Sequence, residues 1–218
     1  MKLTDATLLK GLANQDAPQA GSENSEVFTK FTKRGELCIV DFLQEMALEG
    51  RIYQVRAGTV TTGLTGDVEI TDAAAEMCAD AGSGVTIMPC YANIHVEALG
   101  GTVPIIAIKS VATVSSAGAA FVPLNLLLDG ITAALAARAT ARVAGAGGVT
   151  VTAELATTTR RHYSATLATV DMIFEWKPAY TPTLKNGACI YVQVAGTTAG
   201  PNYYASLDFA ELPSVNVE

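Results

Sequence analysis

Residues 174–212 read FEWKPAYTPTLKNGACIYVQVAGTTAGPNYYASLDFAEL, and this stretch decides the fold. It opens on a tryptophan-bearing strand, crosses a loop bounded by Pro178 and Pro182, and reaches the pair Asn186–Gly187. Asn–Gly favours a tight turn because both residues tolerate positive φ. An apolar strand over 188–195 (ACIYVQVA) follows, then a Gly/Thr/Pro loop over 196–202, then an aromatic strand over 203–212 (YYASLDFAEL). Strands separated by turn residues at this spacing belong to an antiparallel sheet.

The same rhythm extends upstream. Residues 163–176 alternate over a long run, and 149–155 alternate Val with Thr behind the flexible loop GAGG at 145–148. The alanine-rich stretch 133–144 has helical propensity, but its second half, 139–144, alternates Thr140 and Arg142 with Ala141 and Val143 and reads as a strand. Strands are also expected over 119–128, 102–115 and 85–99, with turns at 116–118 and at Gly100–Gly101 and a turn or helix start at Asp129–Gly130. Pro89 lies inside the 85–99 run, which demotes that half to an edge strand or a bulge. Residues 71–81 (TDAAAEMCADA) read as a short helix, capped by Thr71 or Asp72 and stopped by Gly82. A turn over 63–67 and a period-two run over 51–62 precede it. This makes about nine or ten strands with the turn spacing of a sandwich or barrel. No internal repeat of fixed period appears.

Residues 1–50 have a different texture. Leu3, Leu8, Leu9 and Leu12 make one short amphipathic patch, and 14–25 (NQDAPQAGSENS) is polar with Pro and Gly. Residues 1–35 therefore read as a flexible N-terminal arm. Lys2, Lys10, Lys30, Lys33 and Arg34 nearly balance Asp5, Asp16, Glu23 and Glu26, so the arm is close to neutral. Residues 36–50 lead in. Leu37, Val40, Leu43 and Ala47 share a helical face over 37–48, with Gly50 as its stop, although Cys38, Val40 and Phe42 also suit a strand. Residues 51–218 form one domain. The fold class is all-β: an antiparallel β-sandwich with an N-terminal arm and one or two short helices.

Composition narrows the function. The 218 residues include 36 Ala and 25 Thr, are 50% hydrophobic and only 16% charged, and carry a net charge of −7. Wholesale disorder is excluded by that apolar content. No run is apolar and long enough for a membrane span, the nearest being 110–128, which Ser, Gly, Pro and Asn interrupt. Residues 1–11 contain Asp5 and Lys10 and no long apolar core, so no signal peptide is expected. The acidic balance disfavours an independent nucleic-acid binder, which needs a basic face.

No motif assigns a chemistry. Cys38, Cys78, Cys90 and Cys189 lack CxxC or zinc spacing and read as separate thiols; a Cys78–Cys90 bridge would need an oxidising compartment. His162, Ser164 and Asp171 assemble a triad only on paper, because one strand is poor geometry for it. His95 and His162 read as surface or inter-subunit groups. Asp67, Glu69, Asp72, Glu76 and Asp80 are the densest acidic run, without the EF-hand pattern, and read as the solvated side of the short helix, with an ion site as the alternative. Arg160–Arg161–His162 is the one compact basic cluster outside the arm and reads as a loop tip. There is no phosphate-binding glycine motif. Catalytic, cofactor-binding and metal residues are accordingly assigned as none, and no cofactor is expected.

Taken with the strands before it, the segment 174–212 looks like the end of a jelly roll. The chain resembles viral, phage-like coat proteins of the single-jelly-roll type. The resemblance covers residues 51–212 and rests on Ala/Thr/Gly/Val-rich strands, loops without charge and an extended arm; it transfers no residue role. It implies a structural protein that self-assembles into an icosahedral capsid, found in the virion and assembled in the host cytoplasm, with no catalysis. Its partners would be copies of itself and, as a further option, other virion proteins. Many such coats have a basic arm and this one does not, so strong nucleic-acid binding by the arm is not expected. Low charge and small side chains suit close-packed subunit interfaces. The alternative is a carbohydrate-binding or adhesin-like sandwich, in which Tyr53, Tyr91, Tyr163, Tyr180, Tyr191, Tyr203, Tyr204 and Trp176 are the residues available to stack on sugars.

Overall fold

The structure is a computed structural model that describes residues 41–59, 61–71, 73–101, 104–128, 135–144, 148–166 and 172–214. The chain divides into two units, Met1–Glu49 and Gly50–Glu218. The described part of the first holds helix α1, Phe42–Leu48. Asp41 caps it, its Oδ1 accepting from the Leu43 amide at 3.0 Å, which satisfies one of the amides a helix start leaves unpaired. The helix expected over 37–48 is thus seen from Phe42 onward. The arm at 1–35, Cys38, Asp72, the 129–130 turn and Asp171 lie outside the described residues.

Eight strands build the second unit: β1 (Ile52–Ala57), β2 (Met77–Asp80), β3 (Val85–Ala98), β4 (Ile105–Val111), β5 (Thr159–Thr166), β6 (Met172–Trp176), β7 (Cys189–Ala195) and β8 (Asn202–Pro213). All pairings among them are antiparallel. One sheet has the order β6-β3-β8-β1, the other β5-β4-β7-β2. First pairs with eighth, second with seventh, third with sixth and fourth with fifth. That nesting is the jelly roll, one long hairpin wrapped into two facing sheets.

Short pieces extend the sheets. Leu124–Asn125 pairs outside β1, while Thr140–Val143 and then Ala119–Phe121 continue the second sheet beyond β2. Ser116–Ala117, Val149–Thr150 and Ala74–Ala75 form a third, three-stranded patch.

Alternate residues of both sheets fill the space between them. Tyr53 and Val55 from β1, Ile94 and Val96 from β3, and Leu207 and Phe209 from β8 meet Ile106, Ile108, Ile190, Val192 and Met77 from the other sheet. Tyr53 stacks on Phe209 with ring centroids 5.9 Å apart. A second, smaller core lies on the outer face of the second sheet, where Cys78, Val111, Cys189 and Tyr191 are covered by Ala75, Val149 and Val151. With both faces covered, all residues of β2 and β7 are buried.

This explains the main departure from the sequence reading. Residues 71–81 are not a helix but the pair Ala74–Ala75 and strand β2. Alanine favours helix in isolation, but here β2 fills the slot between β7 and Thr140–Val143, and tertiary pairing overrides propensity. Three expected strands are shorter or split. Residues 163–176 are β5 and β6 in different sheets, 149–155 keep only Val149–Thr150, and 119–128 break into two short pieces. Pro89 sits at a bulge. Phe209 pairs with Pro89 and Asp208 with Tyr91, leaving Cys90 as the extra residue. β3 is nonetheless interior, since Leu184–Lys185 and β6 pair with its far side before and after the proline. Asn186 (φ 52°) and Gly187 (φ 88°) form the expected tight turn, closed by the Ala188 amide on the Lys185 carbonyl at 3.1 Å. It carries the chain from one sheet to the other.

Candidate functional site

Three polar clusters and one apolar edge stand out among the described residues. The first cluster is inside the sandwich. Glu76, just before β2, is 3% exposed. Its Oε1 accepts from the Asp67 amide at 2.9 Å and its Oε2 from the Tyr203 hydroxyl at 3.2 Å. Burial, then the nearby Asp67 carboxylate, push Glu76 up to about 7. Burial raises Asp67 as well, and raises Tyr203 together with the facing Glu76.

The second cluster lies under the small outer core. Asp80 is buried and accepts twice from Ser115: the amide to Oδ1 at 2.7 Å and the hydroxyl to Oδ2 at 2.6 Å. Cys78 donates to the Ser115 hydroxyl at 2.9 Å. Cys189, the cross-strand partner of Asp80, donates to the Ile190 carbonyl at 3.3 Å. The Cys78, Asp80 and Cys189 ligand atoms all lie within 4.8 Å of one another. Burial holds the Cys189 thiol well above its usual range, with Cys78 and Asp80 adding to it. Cys78, Cys90 and Cys189 are free thiols, so no Cys78–Cys90 bridge forms. Cys90 is elsewhere, donating to the Asp208 carbonyl at 3.4 Å and pushed up to about 11 by burial.

These two clusters correct the reading of the acidic run as a solvated helix face. Glu69 is exposed and Asp67 half-buried, but Glu76 and Asp80 are core residues. Apart from the Asp67 amide, the groups that partner them come from residues 115 and 203, far along the chain, and local spacing carries no trace of those.

The histidines do not make a triad. His162 is the extra residue of a bulge in β5. Its Nε2 lies 2.8 Å from the Ser110 hydroxyl, and its ring packs 5.8 Å from Trp176. Burial lowers its affinity for a proton. Ser164 is exposed. The neighbouring arginines are occupied within the chain. Arg161 joins Glu154, which also holds the buried Lys109 at 2.8 Å, and Arg160 donates to the Thr157 carbonyl at 3.3 Å. The ion pairs and hydrogen bonds hold Glu154 below the usual carboxylate range, Lys109 first among them.

The third polar cluster is on the outer face of the first sheet. Gln54 and Arg56 of β1, Asn93 and His95 of β3, and Tyr204 and Ser206 of β8 line a trough of about 390 Å³. His95 and Tyr204 stack at 6.0 Å. Of the aromatics proposed to meet sugars, Tyr53, Tyr191, Tyr203 and Trp176 are buried in the cores and unavailable. Tyr204 faces the trough, Tyr91 donates to Glu175 at 2.9 Å beside it, and Tyr180 is 93% exposed on a loop.

The apolar edge is where the chain passes from Ala119–Phe121, last strand of one sheet, to Leu124–Asn125, last strand of the other. Its sequence is VPLNLLL, residues 122–128. Val122 is 79% exposed and Leu128 92%, with Leu124, Leu126 and Leu127 also exposed. The backbone beneath is held firmly. Asn125 donates to the Gly50 carbonyl at 2.7 Å and to the Leu135 carbonyl at 2.9 Å, and accepts from the Leu127 amide at 2.8 Å. The Leu126 amide donates to the Ile52 carbonyl at 3.0 Å. The sequence reading took 119–128 as an ordinary strand and missed this feature. Three consecutive leucines at a sheet end were the available signal.

Comparison with family models, with curated proteins and with solved structures finds no match for this chain. No described helix is long and apolar enough to cross a membrane.

Proposed function

We propose that the chain is the subunit of a viral capsid or comparable closed shell, a structural protein that assembles with copies of itself and acts without catalysis in the virion. The observation that carries this reading is the apolar edge at 122–128. Isolated surface leucines are ordinary, but five exposed apolar side chains within seven residues, Val122, Leu124, Leu126, Leu127 and Leu128, support an interaction site. Here it lies on a backbone already pinned by Asn125, so covering it costs little ordering entropy. A jelly roll is compatible with this and does not by itself decide it. A second reading, a carbohydrate-binding module, draws on the trough beside Tyr204 and His95.

Light scattering and negative-stain electron microscopy of the purified protein separate the two. Closed particles of megadalton mass are expected, and Val122→Asp with Leu128→Asp should leave folded, unassembled subunits. A wild-type protein that stays at one to three chains across salt and pH conditions would overturn the shell reading. Loss of glycan binding on Tyr204→Ala would then favour the module.

A further inference from the structure

We propose that Cys78, Asp80 and Cys189 form a structural zinc site that clamps β2 to β7 beneath the small outer core. The three side chains project from neighbouring strands onto one face, since Cys189 pairs with Asp80 and Cys78 lies two residues along the same strand. Their ligand atoms are mutually within 4.8 Å, and all three residues are buried. A tetrahedral zinc with bonds of ~2.3 Å to sulfur and ~2.0 Å to oxygen needs its ligands ~3.5–3.8 Å apart. Small side-chain rotations close the difference. Two thiolates with one carboxylate is a donor set that suits zinc, because calcium and magnesium take oxygen ligands and copper(I) takes soft sulfur.

The cluster also lacks a counter-charge. Asp80 accepts from the amide and hydroxyl of Ser115 and faces the Cys189 thiol, and among the described residues no cation pairs with it. Buried charges are normally paired or bound to metal. A divalent cation supplies what is missing. Ser115 orients the Asp80 carboxylate through its amide and hydroxyl, as an outer-shell partner of a metal ligand does. A water completes the fourth position. On binding, each thiol loses its proton to solvent as its sulfur bonds the metal, so two protons leave per ion. Ser115 precedes Ser116–Ala117, and the third patch carries Val149 over the cluster. The metal would therefore sit beneath that cover and join β2 to β7.

The test uses the full chain with zinc and cobalt as probes. Protein expressed in zinc-supplemented medium and purified without chelator should carry about one zinc per chain. Grown with cobalt instead, it should show the visible d–d bands of a tetrahedral site and a thiolate-to-cobalt charge-transfer band. Cys189→Ser should weaken that charge-transfer band and lower metal affinity at least ~10-fold, while Cys90→Ser changes neither. If Cys189→Ser fails to fold, Asp80→Asn and the wild-type cobalt spectrum carry the test. Folded wild-type protein with no bound metal and no cobalt bands, or with Cys78 and Cys189 joined as a disulfide after purification under reductant, overturns the proposal.

Discussion

Glu76 places a titrating carboxyl in the sandwich interior, where Asp67 and Tyr203 face it. Its proton is held up to about 7 in the folded chain against 4.5 for the free group. Between those values the folded state binds more protons than the unfolded one, so stability falls as pH rises from about 4.5 to about 7 and is flat above. The difference amounts to roughly 3 kcal/mol, lost as the carboxyl ionises. Glu76→Gln should remove most of that slope and leave the protein more stable than wild type at pH 7–8. Urea unfolding at pH 5, 6, 7 and 8 checks it; a wild-type curve without slope in this window would refute the assignment. Such a role could not be read from residues 67–80, where the spacing of the acids fits a wet helix face equally well.

At the scale of elements, the reading succeeds where one face of a strand is buried and the other is not. β8 alternates buried with half-buried residues along most of its length, and its sequence, YYASLDFAEL, shows it. It fails at β2, where both faces are covered and the alanine-rich stretch 71–81 favours helix, whereas β7, buried as fully, is rich in Ile, Tyr and Val and reads as a strand. It also fails where two strands of different sheets follow one another without a strong turn signal, as β5 and β6 do. The loops that close one end of the sandwich depend on glycine. The Gly66 amide donates to the Pro201 carbonyl at 2.8 Å, and a side chain on Gly200 would collide with the Gly66 carbonyl. Because the obstacle is backbone, the loops must separate to make room. Gly200→Ala is therefore expected to cost on the order of 3 kcal/mol, at the upper end for single substitutions. A thermal melt of this variant within 1 °C of wild type, a shift of well under ~1 kcal/mol, would show the loops to be looser than drawn.

For the whole molecule, the order β6-β3-β8-β1 over β5-β4-β7-β2 makes residues 50–218 a self-contained sandwich with its own core. Under the shell reading, residues 1–35 belong to contacts between subunits. Deleting them should change particle size or yield and leave the sandwich folded. Circular dichroism and electron microscopy of the truncated protein measure both, and a truncation that unfolds the sandwich would show the arm to be part of the domain. Turn spacing gives a sandwich or barrel of about nine or ten strands, and the texture of 174–212 points to the jelly roll. The pairing of each strand was not foreseeable, because which sheet a strand joins depends on contacts across most of the chain.

The nesting also sets a timetable. β7 lies between β4 and β2, and β8 between β3 and β1, so both sheets receive a central strand last. While the ribosome is still making residues 189–213, each sheet has a gap in its middle with unpaired edges on either side. Pairings this distant in sequence form slowly and leave the nascent chain open to aggregation. No partly made chain can present a finished sandwich. Under the shell reading, completion of translation thus acts as a checkpoint on which copies are fit to join an assembly.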